Sequence, residues 1–353
     1  MKIYQVAYIG FGGMASHHFK QSHELERIHV KGVFDLNPER MEYAKSVGLY
    51  PYSSRQEILD DPEIDLVLIA VPNDLHKDFA IEALRAGKNV LCEKPVTITS
   101  DELAEIMQVA EETGKIFAID QNRRVNKDFV LMKRSIESGI LGDVYVIESR
   151  VEGSRGVPAG WRTTKAQGGG MMLDWGVHLI DQLMYLYDAR VTSVYCKMYS
   201  INYPEVDDNF RLTMQFDNGV TAHVEVSTNN FITHPRWYVL GKNGTLQIDD
   251  WDCSGKIVRC VKREDTWGAE ITKNKVGPSK TMAPRSEDSV ETIPLSAPED
   301  VVDNLNPVYW QLIDALDGVA PLKITPAQAM RVMKVMEAAF QSAETGDAIH
   351  TNI

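Results

Sequence analysis

A chain of 353 residues, 44% hydrophobic and 25% charged, is long enough for about two domains with a buried core. Its 50 acidic side chains outnumber 37 basic ones, and the net charge of −13 repels nucleic acid and anionic membrane surfaces, which excludes both as principal partners. Cys92, Cys196, Cys253 and Cys260 form no C-x-x-C pair and no zinc spacing, the apolar run before Gly10 is too short for a signal peptide, and no stretch approaches the roughly 20 apolar residues of a membrane span, so a cytoplasmic protein with free thiols is predicted.

The first third alternates strand and helix. Ile3 to Ile9 is a β-rich apolar run, followed at once by Gly10-Phe11-Gly12-Gly13-Met14-Ala15, a G-x-G-x-x-A pattern, and by a helix from Met14 to Ser22. Val30 to Phe34 reads as the second strand and ends in Asp35. Asn37-Pro38 caps a helix to about Val47, and Ser54 with Glu57 opens a short third one. The unbroken apolar run Leu66 to Val71 predicts a parallel strand covered on both faces. A helix from Leu75 to Ala86, a strand Val90 to Cys92, a helix from Thr99 to about Gly114 and a strand Ile116 to Ile119 complete the set. The result is a doubly wound parallel sheet of the Rossmann type.

In that context the glycine loop points to a dinucleotide. Gly10 permits the tight turn, Gly12 lets the backbone approach a pyrophosphate, and Ala15 lets helix and strand pack closely. The helix start offers free N–H groups to the phosphates. Asp35 would accept hydrogen bonds from the ribose hydroxyls and repel a 2′-phosphate, which favours NAD over NADP.

The pattern then changes. Residues 126–138 read as a helix closed by Gly139 and Gly142, and Val144 to Val151 as a strand. Further strand-like runs span Val191–Met198, Asn209–Phe216, Thr221–Thr228, Trp237–Leu240 and Thr245–Ile248, with a hairpin turn at Asp217-Asn218-Gly219. They predict an α+β domain with a largely antiparallel open sheet. Residues 262–300 read as a polar excursion, and helices are expected at 306–317 and 326–343. Between strands lies Gly168-Gly169-Gly170, running into a helical segment. Asp174 and His178, four apart, share one helix face there, with Asp181 nearly on it. Such a stretch is a proton-transfer site or an ordinary amphipathic helix with a structural histidine.

These residues resemble the Gfo/Idh/MocA oxidoreductase family, named for glucose–fructose oxidoreductase, inositol dehydrogenase and a rhizopine-catabolism protein. The glycine loop, Val71-Pro72-Asn73-Asp74-Leu75-His76, Glu93-Lys94-Pro95, and Gly169-Gly170 leading to Asp174 and His178 carry the resemblance, with Gly139 to Gly142 and Trp161-Arg162 as lesser matches. It implies a dinucleotide-binding domain over 1–122 and a substrate-binding and oligomerisation domain over 123–353. It further implies an NAD-dependent dehydrogenase acting on a secondary hydroxyl of a sugar, sugar derivative or cyclitol, assembled as a homodimer or homotetramer.

The family's catalytic lysine, aspartate and histidine fall on Lys94, Asp174 and His178. His178 would take the hydroxyl proton and Lys94 stabilise the alkoxide. Asp174 would orient His178 or bind a neighbouring hydroxyl, and Asp181 is a weaker third member. The cofactor contacts implied are Gly10, Phe11, Gly12, Gly13, Met14, Asp35, Val71, Pro72, Asn73, His76, Glu93 and Lys94, with the bond before Pro95 often cis in the family. Trp161, Arg162, Asn122 and Arg123 join Asp174 and His178 as substrate contacts. Which of His234, Arg236, Trp237 and Tyr238 point inward is open. His17, His18, His23 and His29 have no ligand spacing, so no metal is predicted. Two rivals stand beside the dehydrogenase: an NAD-assisted glycosidase or lyase working by transient oxidation, and a non-catalytic dinucleotide-binding regulator. Lys94 together with the Asp174–His178 pair favours the dehydrogenase, since sensing needs no proton acceptor.

Overall fold

The computed structural model describes residues 1–22, 25–262, 271–280 and 285–353. Strands β1 (Tyr4–Ile9), β2 (Ile28–Phe34), β3 (Tyr50–Pro51), β4 (Leu66–Ile69), β5 (Asn89–Cys92) and β6 (Phe117–Ile119) pair in parallel, in the order β3-β2-β1-β4-β5-β6. Every residue of β4 is buried, as its unbroken apolar run requires when helices cover both faces. Helices α1 (Gly13–Ser22), α2 (Pro38–Ser46), α3 (Arg55–Asp60), α4 (His76–Arg85) and α5 (Ser100–Thr113) make the crossovers. Their ends are set locally. Asn37 accepts the Glu39 N–H beside Pro38, Ser54 accepts the Glu57 N–H, and Thr99 with Glu102 forms a reciprocal capping box.

Helix α6 (Lys127–Glu137) leads into the second sheet through β7 (Val144–Glu152). A single π-helical turn, Met172–Gly176, continues as α7 (Val177–Leu186). Strands β8 (Val191–Tyr199), β9 (Asn209–Phe216), β10 (Thr221–Ser227), β11 (Trp237–Gly241), β12 (Gly244–Ile248) and β13 (Gly255–Cys260) follow, then a separate hairpin of β14 (Ile271–Asn274) and β15 (Gly277–Lys280), then β16 (Val290–Leu295). Helices α8 (Asn306–Leu316) and α9 (Pro326–Thr345) precede the short β17 (Ile349–His350). The nine-stranded sheet runs β16-β13-β12-β11-β7-β10-β9-β8-β17, and β7–β10 is its parallel pair; the rest are antiparallel.

The stretch expected to be a polar excursion thus supplies β16 and the small hairpin, while residues 263–270 and 281–284 within it lie outside the described residues, as does His23. The edge strand β16 is half covered at best, so its side chains carry no apolar alternation to read. The C-terminal helices also return to the first sheet. Val308, Tyr309 and Leu312 of α8 pack in one cluster with Tyr4, Val6, Tyr8 and Leu66. Asp317, just past α8, accepts from the Tyr4 hydroxyl (2.7 Å) and pairs with Arg27. From α9, Glu337 accepts from both the backbone N–H and the hydroxyl of Ser100 at the start of α5.

A buried ion pair joins the two sheets. Arg124, after β6, donates through Nε and an Nη to both oxygens of Asp181 on α7 (2.7 and 2.6 Å) and through its other Nη to Gln328 on α9 (2.8 Å). Removing one partner strands a buried charge. Asp181→Ala should therefore cost about 3–5 kcal/mol in denaturant unfolding; a loss below about 1 kcal/mol would mean the pair behaves as a surface one.

Candidate active site

The carboxyl ends of β1, β2, β4, β5 and β6 open into one cleft of about 1060 Å³. In an open parallel sheet this edge is where ligands bind. Gly10, Gly12, Gly13, Met14 and Asp35 line one part of it, with Val71, Pro72 and Asn73 alongside. Gly10 sits at φ +87°, and a Cβ there would lie 2.3 Å from the Ala70 carbonyl oxygen, so the turn tolerates only glycine. A Cβ at Gly12 or Gly13 would meet no atom within 4 Å. The absence of side chains there leaves the first turn of α1 bare toward the cleft, the surface a pyrophosphate needs. Asp35 is already held by backbone: Oδ2 accepts the Phe11 N–H (2.6 Å) and Oδ1 the Asn37 N–H (2.8 Å).

Two of the expected cofactor contacts keep their side chains out of the cleft. The Phe11 side chain is buried against Phe19 and Tyr43 and reaches the site only through its backbone. His76 is fully buried behind the cleft, its ring nitrogens each 2.9 Å from a carbonyl oxygen, Nδ1 from Pro95 and Nε2 from Val71. It braces the two loops against each other rather than lining the cavity. The Pro95 and Val71 carbonyls that hold its ring belong to other stretches of chain, which a single histidine in sequence does not disclose.

Glu93, Lys94, Asn122, Arg123, Trp161, Arg162, Asp174 and His178 line the rest of the cleft. The Lys94–Pro95 bond is cis. Lys94 Nζ donates to Asp174 Oδ1 and to the Asp174 carbonyl oxygen (both 2.9 Å), and Arg162 Nε donates to Asp174 Oδ2 (3.0 Å). Burial pushes the Asp174 carboxyl up, but Lys94 and Arg162 outweigh it and hold the group below its ordinary value of 3.8. Asp174 pairs with these two cations, and no hydrogen bond joins it to the Nδ1 of His178. Asp181 is likewise taken by Arg124 and does not line the cleft.

His178 is buried, and its Nδ1 has no hydrogen-bond partner among the described residues. Burial drives its pKa down, and the nearby charges of Lys94, Arg123 and Arg236 add to the effect, so it lies well below 6.5. The ring meets Trp175 edge-on at 5.9 Å. Of the open cluster, Arg236 and Trp237 are buried, both engaging Asp128, whereas His234 is exposed and pairs with Glu152.

Behind Glu93 lies a group that sequence reading missed. His18 Nε2 is 3.0 Å from Glu93 Oε1 and 3.3 Å from Asp120 Oδ2, and Nδ1 is 2.8 Å from the Tyr309 hydroxyl. All four residues are buried. Burial lowers the His18 pKa, but hydrogen bonds and charges from Asp120 and Glu93 raise it to about 10. The imidazolium is the cation between these carboxylates. No local spacing joins residues 18, 93, 120 and 309; only the β-α-β crossovers and the return of α8 do. Trp175 and Trp251, which flank Arg123, were missed for the same reason.

Residues 4–121 match the family model of an oxidoreductase family with an NAD-binding Rossmann fold, and residues 129–247 match that of the GFO/IDH/MocA C-terminal domain. An uncharacterized oxidoreductase of Schizosaccharomyces pombe is 30% identical over 324 residues, 87% of this chain and 88% of that one. A scyllo-inositol 2-dehydrogenase (NADP(+)) of Bacillus subtilis is 27% identical over 292 residues, 82% of this chain and 79% of that one. The crystal structure of an NAD-binding protein from Listeria innocua is 44% identical, with a TM-score of 0.94 over 99% of this chain and 100% of that one.

The Gly10 geometry gives a direct test of the loop. Gly10→Ala should weaken NADH binding about tenfold or more in a fluorescence titration, because the 2.3 Å contact with Ala70 forces the turn open. Unchanged affinity would show that the cofactor does not use this turn.

Proposed function

Because the chain belongs to the Gfo/Idh/MocA family of NAD-binding oxidoreductases, we propose that it is a dehydrogenase acting on a secondary hydroxyl of a sugar, sugar derivative or cyclitol. The observation that carries the reading is a His178 whose buried Nδ1 has no hydrogen-bond partner among the described residues, beside the Lys94–Asp174–Arg162 cluster in the same cleft as the glycine loop. When bound, NAD supplies the hydride acceptor. Gly10, Gly12, Gly13 and Met14 would hold its pyrophosphate and Asp35 its adenosine ribose, with NAD preferred to NADP because the carboxylate repels a 2′-phosphate. Glu93, Val71, Pro72 and Asn73, which line the same cleft, would hold the nicotinamide half.

The remaining chemistry belongs to side chains of this protein. Lys94 spends two of its three N–H groups on Asp174, which leaves one for the substrate oxygen. A cation there stabilises the alkoxide that forms as the proton leaves. His178 is the proton acceptor. Its depressed pKa keeps it neutral and able to accept at neutral pH, at the cost of basicity, and the charge of Lys94 on the developing alkoxide offsets that cost. Asp174 fixes the position of the ammonium. Trp161 and Trp175 offer faces for the C–H surface of a sugar ring, and Asn122 and Arg162 offer donors.

Two wider features accompany this reading. Among the described residues no helix is long and apolar enough to cross a membrane, and all four cysteines are free, which supports a place in the reducing cytoplasm. The outer face of the second sheet exposes Tyr145, Tyr195 and Tyr199. Such a face favours burial against another copy, and a homodimer or homotetramer is expected. Light scattering should then give a mass at least twice 39.7 kDa, and a monomer would refute this assembly.

His178→Ala should reduce sugar oxidation by about a hundredfold or more while NADH affinity stays within a few-fold. Turnover surviving within a few-fold would remove His178 from the mechanism. The pH profile adds a signed check. A base acts only when deprotonated, so kcat/KM should hold down to pH 6.5 and fall only at lower pH, because the His178 pKa lies below that value.

A further inference from the structure

We propose that the substrate is an acidic sugar, a uronic or aldonic acid, whose carboxylate is bound by Arg123. The inference rests on the dehydrogenase reading and narrows its substrate class. It starts from the pairing of charges around the cleft. Lys94 and Arg162 share Asp174, Arg124 is paired with Asp181, Arg236 lies 3.2 Å from Asp128, and His18 stands between Glu93 and Asp120. Arg123 lines the same cleft and is half-buried, yet among the described residues its guanidinium has no ion pair and no side-chain hydrogen bond. The acids near enough to act on it are Asp120, Asp128 and Asp174, each already engaged, and Asp303, which is exposed.

Aromatic faces hold this cation in place of an acid. Its Cζ lies 5.1 Å from the Trp175 ring and 5.6 Å from the Trp251 ring. Stacking fixes the guanidinium plane while leaving its N–H donors unspent. Taking a cation out of water without a counterion costs free energy, and a site tolerates the cost where a ligand brings the charge. Next to it, His178 Nδ1 is buried and also unpartnered, a second donor-acceptor position awaiting a ligand.

The position of Arg123 excludes the cofactor phosphates as its partner. It follows β6, whereas the glycine loop follows β1, and three strand spacings of about 4.8 Å separate them, roughly 14 Å. It does neighbour the reacting groups, since its charge is one of those that depress His178. The planar fork of a guanidinium matches a carboxylate with two parallel hydrogen bonds. A single unpaired cation suits a monoanion better than the dianion of a phosphate ester, which would call for more.

The test compares matched pairs at saturating NAD: D-glucose with D-glucuronate and with D-gluconate, and D-galactose with D-galacturonate, with D-glucose 6-phosphate as the phosphate arm. NADH formation gives kcat/KM, and calorimetry in the presence of NADH gives affinity. At least one acid should exceed its neutral partner by about tenfold or more, the scale of one charge-assisted bidentate contact. Arg123→Gln should collapse that ratio through the KM of the acid, and Arg123→Lys should keep part of it. Equal or better use of the neutral sugars, a preference for the phosphate, equal losses on acid and neutral substrates in Arg123→Gln, or no binding of any acid would each overturn the proposal. NADH formed from neutral sugars alone would sustain the dehydrogenase reading while refuting the acidic substrate. Arg123-dependent binding of an acid with no NADH formed from any sugar or acid would sustain the carboxylate site and refute the dehydrogenase.

Discussion

Asp174 is the side chain on which one end of the cleft depends for its shape. One oxygen holds Lys94 from the first sheet and the other holds Arg162 from the loop after β7, while the residue itself sits in the π turn before α7. Three separate stretches of chain therefore meet at one carboxylate. A π turn is a costly local choice that tends to persist where function requires it. Here the turn carries Asp174 and Trp175 to the cleft and hands over to α7, whose apolar face is buried under the second sheet. Arg124 and Asp181 repeat the device deeper in the molecule, with α9 as a third participant through Gln328. The two sheets are fixed relative to each other by buried charges with matched partners.

Matching charges also explains the path of the C-terminal segment. A pair of adjacent buried carboxylates, Glu93 and Asp120, would repel each other and cost heavily to desolvate. His18 as an imidazolium lies between them, and the Tyr309 hydroxyl accepts a hydrogen bond from its other nitrogen. Burial raises Glu93, but His18 and Lys94 keep it below its ordinary value, whereas Asp120, raised by burial and by Glu93, carries the repulsion. Tyr309 comes from α8, which returns to the first sheet and packs on Tyr4, Val6 and Tyr8. That helix both covers apolar surface and completes the polar group behind Glu93.

Much of the first sheet was legible because its signals are local. The unbroken run of β4, the caps of α2, α3 and α5, and the positive φ of Gly10 each depend on neighbours a few residues away. The second sheet was legible where its strands alternate, as in β9 and β10, and lost at β16, an edge strand with little buried surface. In the site, Lys94, Asp174 and His178 do line one cleft, but their pairing was not legible. A spacing of four on a helix joined Asp174 to His178, and the tertiary structure instead delivers two cations to Asp174. His18, Asp120 and Tyr309 escaped notice because residues so far apart in sequence meet only through the fold. Phe11 and His76 show the converse case. They sit inside motifs that border a cofactor site, yet packing and carbonyl bonding occupy their side chains.

The same residue type ends in opposite charge states at the cleft wall and behind it, and the surroundings decide which. His18 is flanked by two carboxylates and keeps its proton, its pKa raised to about 10 despite full burial. His178 is equally enclosed but faces Lys94, Arg123 and Arg236, and gives its proton up. Desolvation acts alike on both, so the difference is the sign of the neighbouring charge. Each state suits its place. A charged His18 neutralises acids that would otherwise force one another to protonate, and a neutral His178 can receive a proton that a charged one could not. An anionic ligand on Arg123 would cancel part of the field that depresses His178 and strengthen it as a base only once that ligand is bound. If Arg123 binds a substrate carboxylate as proposed, the cations that weaken His178 in the free protein would tie its basicity to a ligand of the right charge.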